Sequence, residues 1–524
     1  MLLTWADLWS AFGTGPWLWD DLSTARPFSD VVVDSRQAAQ DSLFVALPGE
    51  HTDGHLFVAD AFRRGAQAAL VQRRVDDCPV VIDVQRPLAR QFSPAATGEA
   101  LSLPVCFLVP HTLSALQRLA AYWRRRFAHC RVVGVTGSVG KTTTKELIAS
   151  VLRQRFATLQ SIGNYNNEIG LPLTMLRVHS QVQWVVQEMA MYGLGEIARL
   201  AQIAQPEIGV VTNVGPTHLE RLGSIERIAQ AKSELVQALP MDGLAVLNGD
   251  DPRVRAMAGQ TKAKRVLYYG LEPPRRAVRP LEGDLQGPAH PVPGRPRPER
   301  GQGQDWGDGE LGEGHNDLWA DELESLGLEG LHLRLHFGEQ SLHARLPLLG
   351  RHSVYAALAA AAVGLSLGLG WDEVISGLQD KSAQVRLMVV PGVHGVTILD
   401  DTYNASPAST VAALNLLSEM DGRKVAVLGG MLELGSYQTE GHQLVGRRAA
   451  EVVAVLVTVG ELGKSIAEEA LAAGMAPERV HAPVDNDEAV AVLLQVLAEG
   501  DFVLVKGSRG VAMESIVARL AKGD

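Results

Sequence analysis

The chain has 524 residues, of which 46% are hydrophobic and 20% charged, and a formal net charge of −11. This length calls for roughly three or four domains, and this composition is ordinary for a globular enzyme. The acidic balance argues against a general nucleic-acid binder, which needs a basic face. A membrane span is not expected either, because no apolar run approaches the ~18 residues required.

The first residues, MLLTWADLWSAFG, lack a basic n-region and a small-residue cleavage site. They read as a first amphipathic helix, and the protein is expected to be cytoplasmic. Residues 1–128 read as a small α/β domain. Its strands are expected at 31–34, 43–47, 68–71 and 79–84, and a helix at 111–128 closes it. Cys78, Cys106 and Cys130 are widely spaced with no C-x-x-C pair, as expected of reduced, partly buried thiols.

From residue 129 the pattern changes to near-continuous apolar strands separated by helical segments, at 131–137, 184–190, 208–214, 243–249 and 265–270. That is the signature of a parallel sheet covered on both faces. The first of these strands runs into TGSVGKTTTKE, residues 136–146. A strand, a glycine loop, a lysine and hydroxyl residues opening a helix make a phosphate cradle. The backbone N–H groups and helix N-terminus face the anion, Lys141 adds a charge, and Thr142 reaches a bound Mg²⁺. The strict G-x-x-x-x-G-K-[ST] spacing is missed by one residue. The loop is better written G-x-x-G-x-x-G-K-T-T, with Gly134, Gly137 and Gly140 as its glycines. Gly137, Ser138, Val139, Gly140, Lys141, Thr142 and Thr143 are therefore candidate ligands of a nucleoside triphosphate.

Further polar clusters fall at strand ends, where an open α/β sheet places its ligands. GNYNNEIGLPLT carries Asn166 and Asn167, which could simply make a turn. Glu188 ends a buried strand, and a carboxylate there is costly unless paired or metal-bound, so it is a candidate Mg²⁺ ligand. His218 in NVGPTHLERLGS is a weaker candidate for a metal or phosphate contact, and Lys232 in AKSE reads by itself as a surface lysine.

Residues 271–314 contain 8 Pro and 9 Gly. That exceeds the ~25–30% that marks low complexity. A disordered insertion is expected over 271–330, with a half-exposed strand resuming at 331–337. A third α/β region, 384–524, has strands expected at 396–401, 424–430, 455–460 and 501–507. LDDTYNASPAST offers Asp401, Tyr403 and Asn404, and LVKGSRG offers Lys506, Ser508 and Arg509 as partners for a carboxylate or phosphate.

Taken in order, TGSVGKTTTKE, GNYNNEIGLPLT, NVGPTHLERLGS with AKSE, DDTYNASP, GMLELG and VKGSRG resemble the motifs of the Mur ligases of peptidoglycan synthesis. DSR (34–36) and LFVALPGEHTDGH (43–55) look like that family's UDP-substrate-binding domain, with Ser35 and Arg36 as candidate contacts. The resemblance implies an α/β protein of three domains: a small UDP-substrate domain, a central P-loop ATPase domain over 129–383, and a C-terminal Rossmann-like domain over 384–524. It implies an ATP- and Mg²⁺-dependent ligase acting through an acyl phosphate.

DDTYNASP and GMLELG favour the members that join D-alanyl-D-alanine to UDP-N-acetylmuramoyl-tripeptide. Lys232 matches the lysine that is carbamylated in most of the family, and Glu188 and His218 match metal ligands. Asn166 and Asn167 match a loop near substrate and phosphates. Asn248 resembles a residue near the adenine, and Arg386 lies where the third domain meets the nucleotide. A monomer is implied.

The sequence also departs from the family pattern. GRHSVYAA places Ser353 and Ala356 where asparagines are usual, and Gly430 replaces an aspartate. Other readings stay open at this point: a ligase with a different amino substrate, a P-loop ATPase without an acceptor, or an inactive binding protein.

Overall fold

The computed structural model describes residues 3–12, 26–49, 52–76, 78, 80–85, 103–271, 316–383 and 387–522. Three sheets organise the chain. The first contains β1 (Val31–Val32), β2 (Leu43–Val45), β3 (Ala68–Val71), β4 (Val80–Asp83) and β5 (Val105–Leu108). Its order is β1-β2-β3-β5-β4, and every pair is parallel.

The central sheet has nine strands. They are β6 (Arg131–Thr136), β7 (Thr158–Gln160), β8 (Trp184–Glu188), β9 (Ile208–Val211), β10 (Leu244–Asn248), β11 (Arg265–Gly270), β12 (Leu318–Ser325), β13 (Leu331–Phe337) and β14 (Gln340–Leu346). The order is β14-β13-β12-β11-β10-β9-β6-β8-β7. Strands β7 to β12 run parallel, and β13 and β14 add an antiparallel edge. The chain enters at β6 and builds outward on both sides of it. The carboxyl end of β6 is therefore the switch point where an open α/β sheet has its crevice.

Two apolar layers cover this sheet. On one face Val133 and Val135 pack with Leu147 and Val151 of the helix Lys141–Arg153 and with the alanine-rich helix Val354–Ser366. On the other face, Val132 joins Ile228 and Leu235 of the helix Ile225–Gln237. This second layer continues without a break through Leu116, Leu119 and Trp123 of the helix Thr112–Arg126 into Trp5, Phe28 and Phe107. The helix read as closing the first domain is thus shared with the second. Its Trp123 donates to the Val178 carbonyl at 2.9 Å and its Arg124 to the Ala204 carbonyl at 2.9 Å.

The third sheet holds β15 (Met388–Pro391), β16 (Thr397–Asp401), β17 (Lys424–Gly429), β18 (Val455–Val459), β19 (Val480–His481) and β20 (Phe502–Lys506). Its order is β15-β16-β20-β17-β18-β19, with β15 antiparallel. Separate cores lie on its two faces, one around Leu414 and Leu428, the other around Val427 and Ile516.

Two expectations need correcting. Cys78 and Cys106 are not separate thiols but a disulfide. Strand β5, which the sequence reading did not place, carries Cys106 in between β3 and β4, beside the turn that holds Cys78. Cys130 alone is a thiol, pushed up to about 11 by burial. The expected insertion 271–330 is also too long. Residues 272–315 lie outside the described residues, but 318–325 form β12. Its acidic residues are at least partly exposed, and Arg334 on β13 donates to both oxygens of Asp321 at 2.9 Å. Among the described residues no helix is long and apolar enough to cross a membrane.

Candidate active site

The carboxyl ends of the central and third sheets face one another across a cleft of about 550 Å³. The phosphate loop forms one wall. Gly137 takes φ +151 and Gly140 φ +85, which glycine adopts without a Cβ penalty. At Gly137 a Cβ would also overlap the Thr212 hydroxyl. The loop is held from the next strand over: Asn213 Oδ1 accepts from Val139 N at 3.0 Å, and Thr212 Oγ1 donates to the Val139 carbonyl at 2.7 Å. Lys141 leads the helix and donates back to the carbonyls of Gly137 at 2.9 Å and Ser138 at 3.1 Å. Its ammonium is thereby parked over the cradle its own loop forms.

Glu188 sits beneath this loop at the end of β8, with 1% of its surface exposed. Each oxygen has a partner. Thr142 Oγ1 donates to Oε2 at 2.8 Å, and Asn166 Nδ2 donates to Oε1 at 2.9 Å. Thr142 and Asn166 are thus brought together on the Glu188 carboxylate. Asn167, expected beside substrate, uses its side-chain carbonyl to accept from Ile169 N at 3.1 Å and Gly170 N at 2.9 Å, starting the next helix.

Lys232 is not the surface lysine its local sequence suggested. It lies on the buried side of the helix Ile225–Gln237, and burial, then the neighbouring Lys141 charge, drives its ammonium well below the usual lysine value. No carboxylate stands within salt-bridge distance of it among the described residues. It is therefore a buried amine whose charged form is disfavoured. His218 lines the cleft nearby. Burial lowers its imidazole, opposed by Glu433 and reinforced by the charges of Lys141 and Lys232. Among the described residues no three His, Cys, Asp or Glu side chains are arranged to hold a metal ion by themselves.

The opposite wall belongs to the third domain. Asp401 ends β16 and Lys506 ends β20, directly across the ladder. Lys506 Nζ donates to Asp401 Oδ2 at 2.6 Å and to the Asn404 carbonyl at 2.8 Å. The lysine expected to meet a substrate anion is thus engaged in shaping the DDTYN loop. Ser508 Oγ accepts from Leu432 N at 3.0 Å and so ties this loop region to MLELG. Arg509 is exposed at the rim, and Asn404 and Ser508 line the cleft.

Gly430 has a structural reason: a Cβ there would stand 2.7 Å from Leu462 Cβ, so the aspartate usual at this position does not fit this packing. Asn248 lines the cleft but has its amide on the Thr212 carbonyl at 2.8 Å. Nearby, Ser353 and Ala356 face the same space, with His352 and Tyr355.

Some expected residues are elsewhere. Ser35 and Arg36 sit in the first domain on a 3₁₀ turn capped by Asp34, where Arg36 Nη2 donates to Asp34 Oδ2 at 2.7 Å. They are not among the residues lining the cleft. Tyr403 is partly exposed and also off the lining. Arg386 lies outside the described residues. The reading of the sequence did not single out Glu433, His352 or Asn213. The signal for Glu433 was inside the GMLELG motif, but its partner is 215 residues away.

Comparison with known proteins places this arrangement. Family profiles match residues 28–98 (Mur ligase family, catalytic domain), 135–286 (Mur ligase middle domain) and 385–509 (Mur ligase, glutamate ligase domain). The chain belongs to the Mur ligase family. A relative from Synechocystis sp., named UDP-N-acetylmuramoyl-tripeptide–D-alanyl-D-alanine ligase, is 36% identical over 95% of this chain and 93% of its own. MurF from Acinetobacter baumannii superposes with a TM-score of 0.76 at 28% identity, covering 98% of each chain. MurF from Thermotoga maritima, solved in complex with ADP, gives 0.69 at 26% identity over 94% of this chain and 96% of its own.

Proposed function

We propose that this chain joins D-alanyl-D-alanine to UDP-N-acetylmuramoyl-tripeptide at the expense of ATP, making the pentapeptide precursor of peptidoglycan. One observation carries the reading. A phosphate loop and the DDTYN, MLELG and KGSRG loops meet in one cleft, in a chain that matches ligases of this name along their whole length.

A carboxylate and an amine do not condense in neutral water, so the carboxylate must first be activated. Its oxygen attacks the γ-phosphorus of ATP, the bond to the β-phosphate oxygen breaks, and ADP leaves an acyl phosphate. The loop amides and Lys141 hold the phosphates in line for this transfer. The dipeptide amine then attacks the acyl carbon, and phosphate departs from the tetrahedral intermediate. The third-domain loops cover the cleft and keep out water that would hydrolyse the acyl phosphate.

Thr142 and Glu188 suit Mg²⁺, which takes hard oxygen donors alongside substrate phosphates. Magnesium supplies charge neutralisation between the phosphates and the incoming carboxylate. His218 and Lys232 suit a further ion only if Lys232 becomes a carbamate. Burial favours the neutral amine at Lys232, the form that adds CO₂, and loss of a proton then leaves an anionic carbamate. Turnover should therefore fall in buffer stripped of CO₂ and return with bicarbonate. A wild-type rate without CO₂, in protein whose Lys232 is shown unmodified by mass spectrometry, would remove the carbamate. We take a monomer as the working unit. ATP and UDP-linked substrates suit a cytoplasmic enzyme that serves wall synthesis and division.

Phosphate release with ATP, Mg²⁺ and UDP-N-acetylmuramoyl-tripeptide tests the reading, run with and without D-alanyl-D-alanine. Release that depends on the dipeptide, with the pentapeptide product seen by mass, is expected. Release indifferent to the dipeptide would point to another amine or to a plain ATPase.

A further inference from the structure

The contact between His218 and Glu433 crosses from the central domain to the third, with Glu433 Oε2 at 2.5 Å from His218 Nδ1. Both residues hold left-handed backbone, with φ +56 and +63. Residues with a Cβ adopt that conformation rarely, and mostly where their surroundings fix it. The surroundings here are the interdomain contact itself. Glu220 N donates to the Glu433 carbonyl at 3.4 Å, and Gly435 approaches so closely that a Cβ would stand 2.7 Å from Glu220 Cα. The imidazole is steadied on another side by Tyr192, edge-on at 5.1 Å, which in turn lies under Arg221.

An ionised carboxylate only accepts hydrogen bonds, so in the neutral ring Nδ1 carries the proton and Nε2 keeps the lone pair. A carboxylate on one nitrogen is how proteins commonly orient a histidine whose other nitrogen holds a metal. Here the two halves of that arrangement come from different domains.

Resting on the ligase reading above, we infer that Glu433 is a positioning residue that makes His218 ready only when the third domain is docked. Docking brings the carboxylate to Nδ1 and fixes the Nδ1–H tautomer, which leaves the Nε2 lone pair for the chemistry of the cleft. Displacing the third domain takes the carboxylate away and leaves His218 without its orienting partner. Glu433 itself touches neither substrate nor phosphate in this role. Completion of the amine site and readiness of the phosphate site are thereby one event, which guards the acyl phosphate against forming in an open cleft.

The test uses full-length protein and the variants Glu433→Gln and Glu433→Asp. Glutamine keeps the size but offers an amide that can donate, so the tautomer is no longer fixed. E433Q should retain the wild-type Tm and KM for the UDP-linked substrate, lose about 10–100-fold in kcat, and need more Mg²⁺ for half-maximal rate. E433D, which keeps the charge, should recover part of the loss. The ring ¹⁵N signals of His218, assigned by their absence in His218→Gln, should show protonated Nδ1 and unprotonated Nε2 in the wild type with ADP and Mg²⁺. In E433Q they should move to a mixed-tautomer position. An E433Q protein with wild-type kcat, Mg²⁺ response and His218 signals would overturn the inference. If the wild type does not ligate at all, the ligase reading fails, and the ¹⁵N signals decide the Glu433 role alone.

Discussion

Lys141→Ala is expected to lower the ligation rate by about 10²–10³-fold, the scale of removing one electrostatic stabiliser from a transition state. The structure indicates why the loss should appear in kcat. The Lys141 ammonium rests on the carbonyls of Gly137 and Ser138, inside the cradle, at 2.9 and 3.1 Å. A phosphate entering that cradle meets a charge already in place, with little reorganisation left for the moment of transfer. The fold should survive, because the loop is also held by Asn213 and Thr212 through Val139. Stopped-time assays of pentapeptide formation, beside thermal melts, would separate the two effects. A variant with near-normal turnover would exclude Lys141 from the phosphate site.

Asp401→Ala should be the most destabilising single change in the third domain, by about 3–5 kcal/mol, the usual cost of stranding one partner of a buried ion pair. Lys506 is only 2% exposed, and Asp401 is its sole carboxylate partner among the described residues. The Asn404 carbonyl remains to it but cannot offset a full charge. The loss should register first as faster hydrogen exchange in β16 and β20, whose ends the pair joins, and as a lowered urea midpoint by circular dichroism. The double variant Asp401→Asn with Lys506→Met should recover much of the stability while leaving the DDTYN loop unable to serve catalysis. If the single variant matched the wild-type midpoint, the pair would be contributing nothing to the fold.

The long strands were legible because β6, β8, β9 and β10 are buried along their length, and burial on both faces leaves an unbroken apolar run. Edge strands were not. β7 and β19 are short and only half buried, so their sequences carry no pattern to separate them from loops. β12 was mistaken for the tail of a disordered insertion because its outward residues are acidic. Its strand character depends on Arg334, on the neighbouring strand, which the sequence does not show to be a neighbour. The phosphate loop and Glu188 could be read from position at strand ends. The burial of Lys232 could not be read that way, since helix faces become buried only when a sheet is laid against them. Lys506 was read as a partner for a carboxylate or phosphate, and the carboxylate it holds here is that of Asp401. A lysine at a strand end is as able to hold a neighbouring aspartate as a substrate anion, and register alone decides which.

The apolar layer that passes unbroken through the helix Thr112–Arg126 has a consequence for how this chain can change. The first sheet and the central sheet share this apolar layer, so a mutation that loosens either loosens both. The third domain keeps its own two cores and meets the rest largely through loops. The third domain is therefore the part that drift can explore cheaply, residue by residue, while the two domains that share an interior are bound to change together.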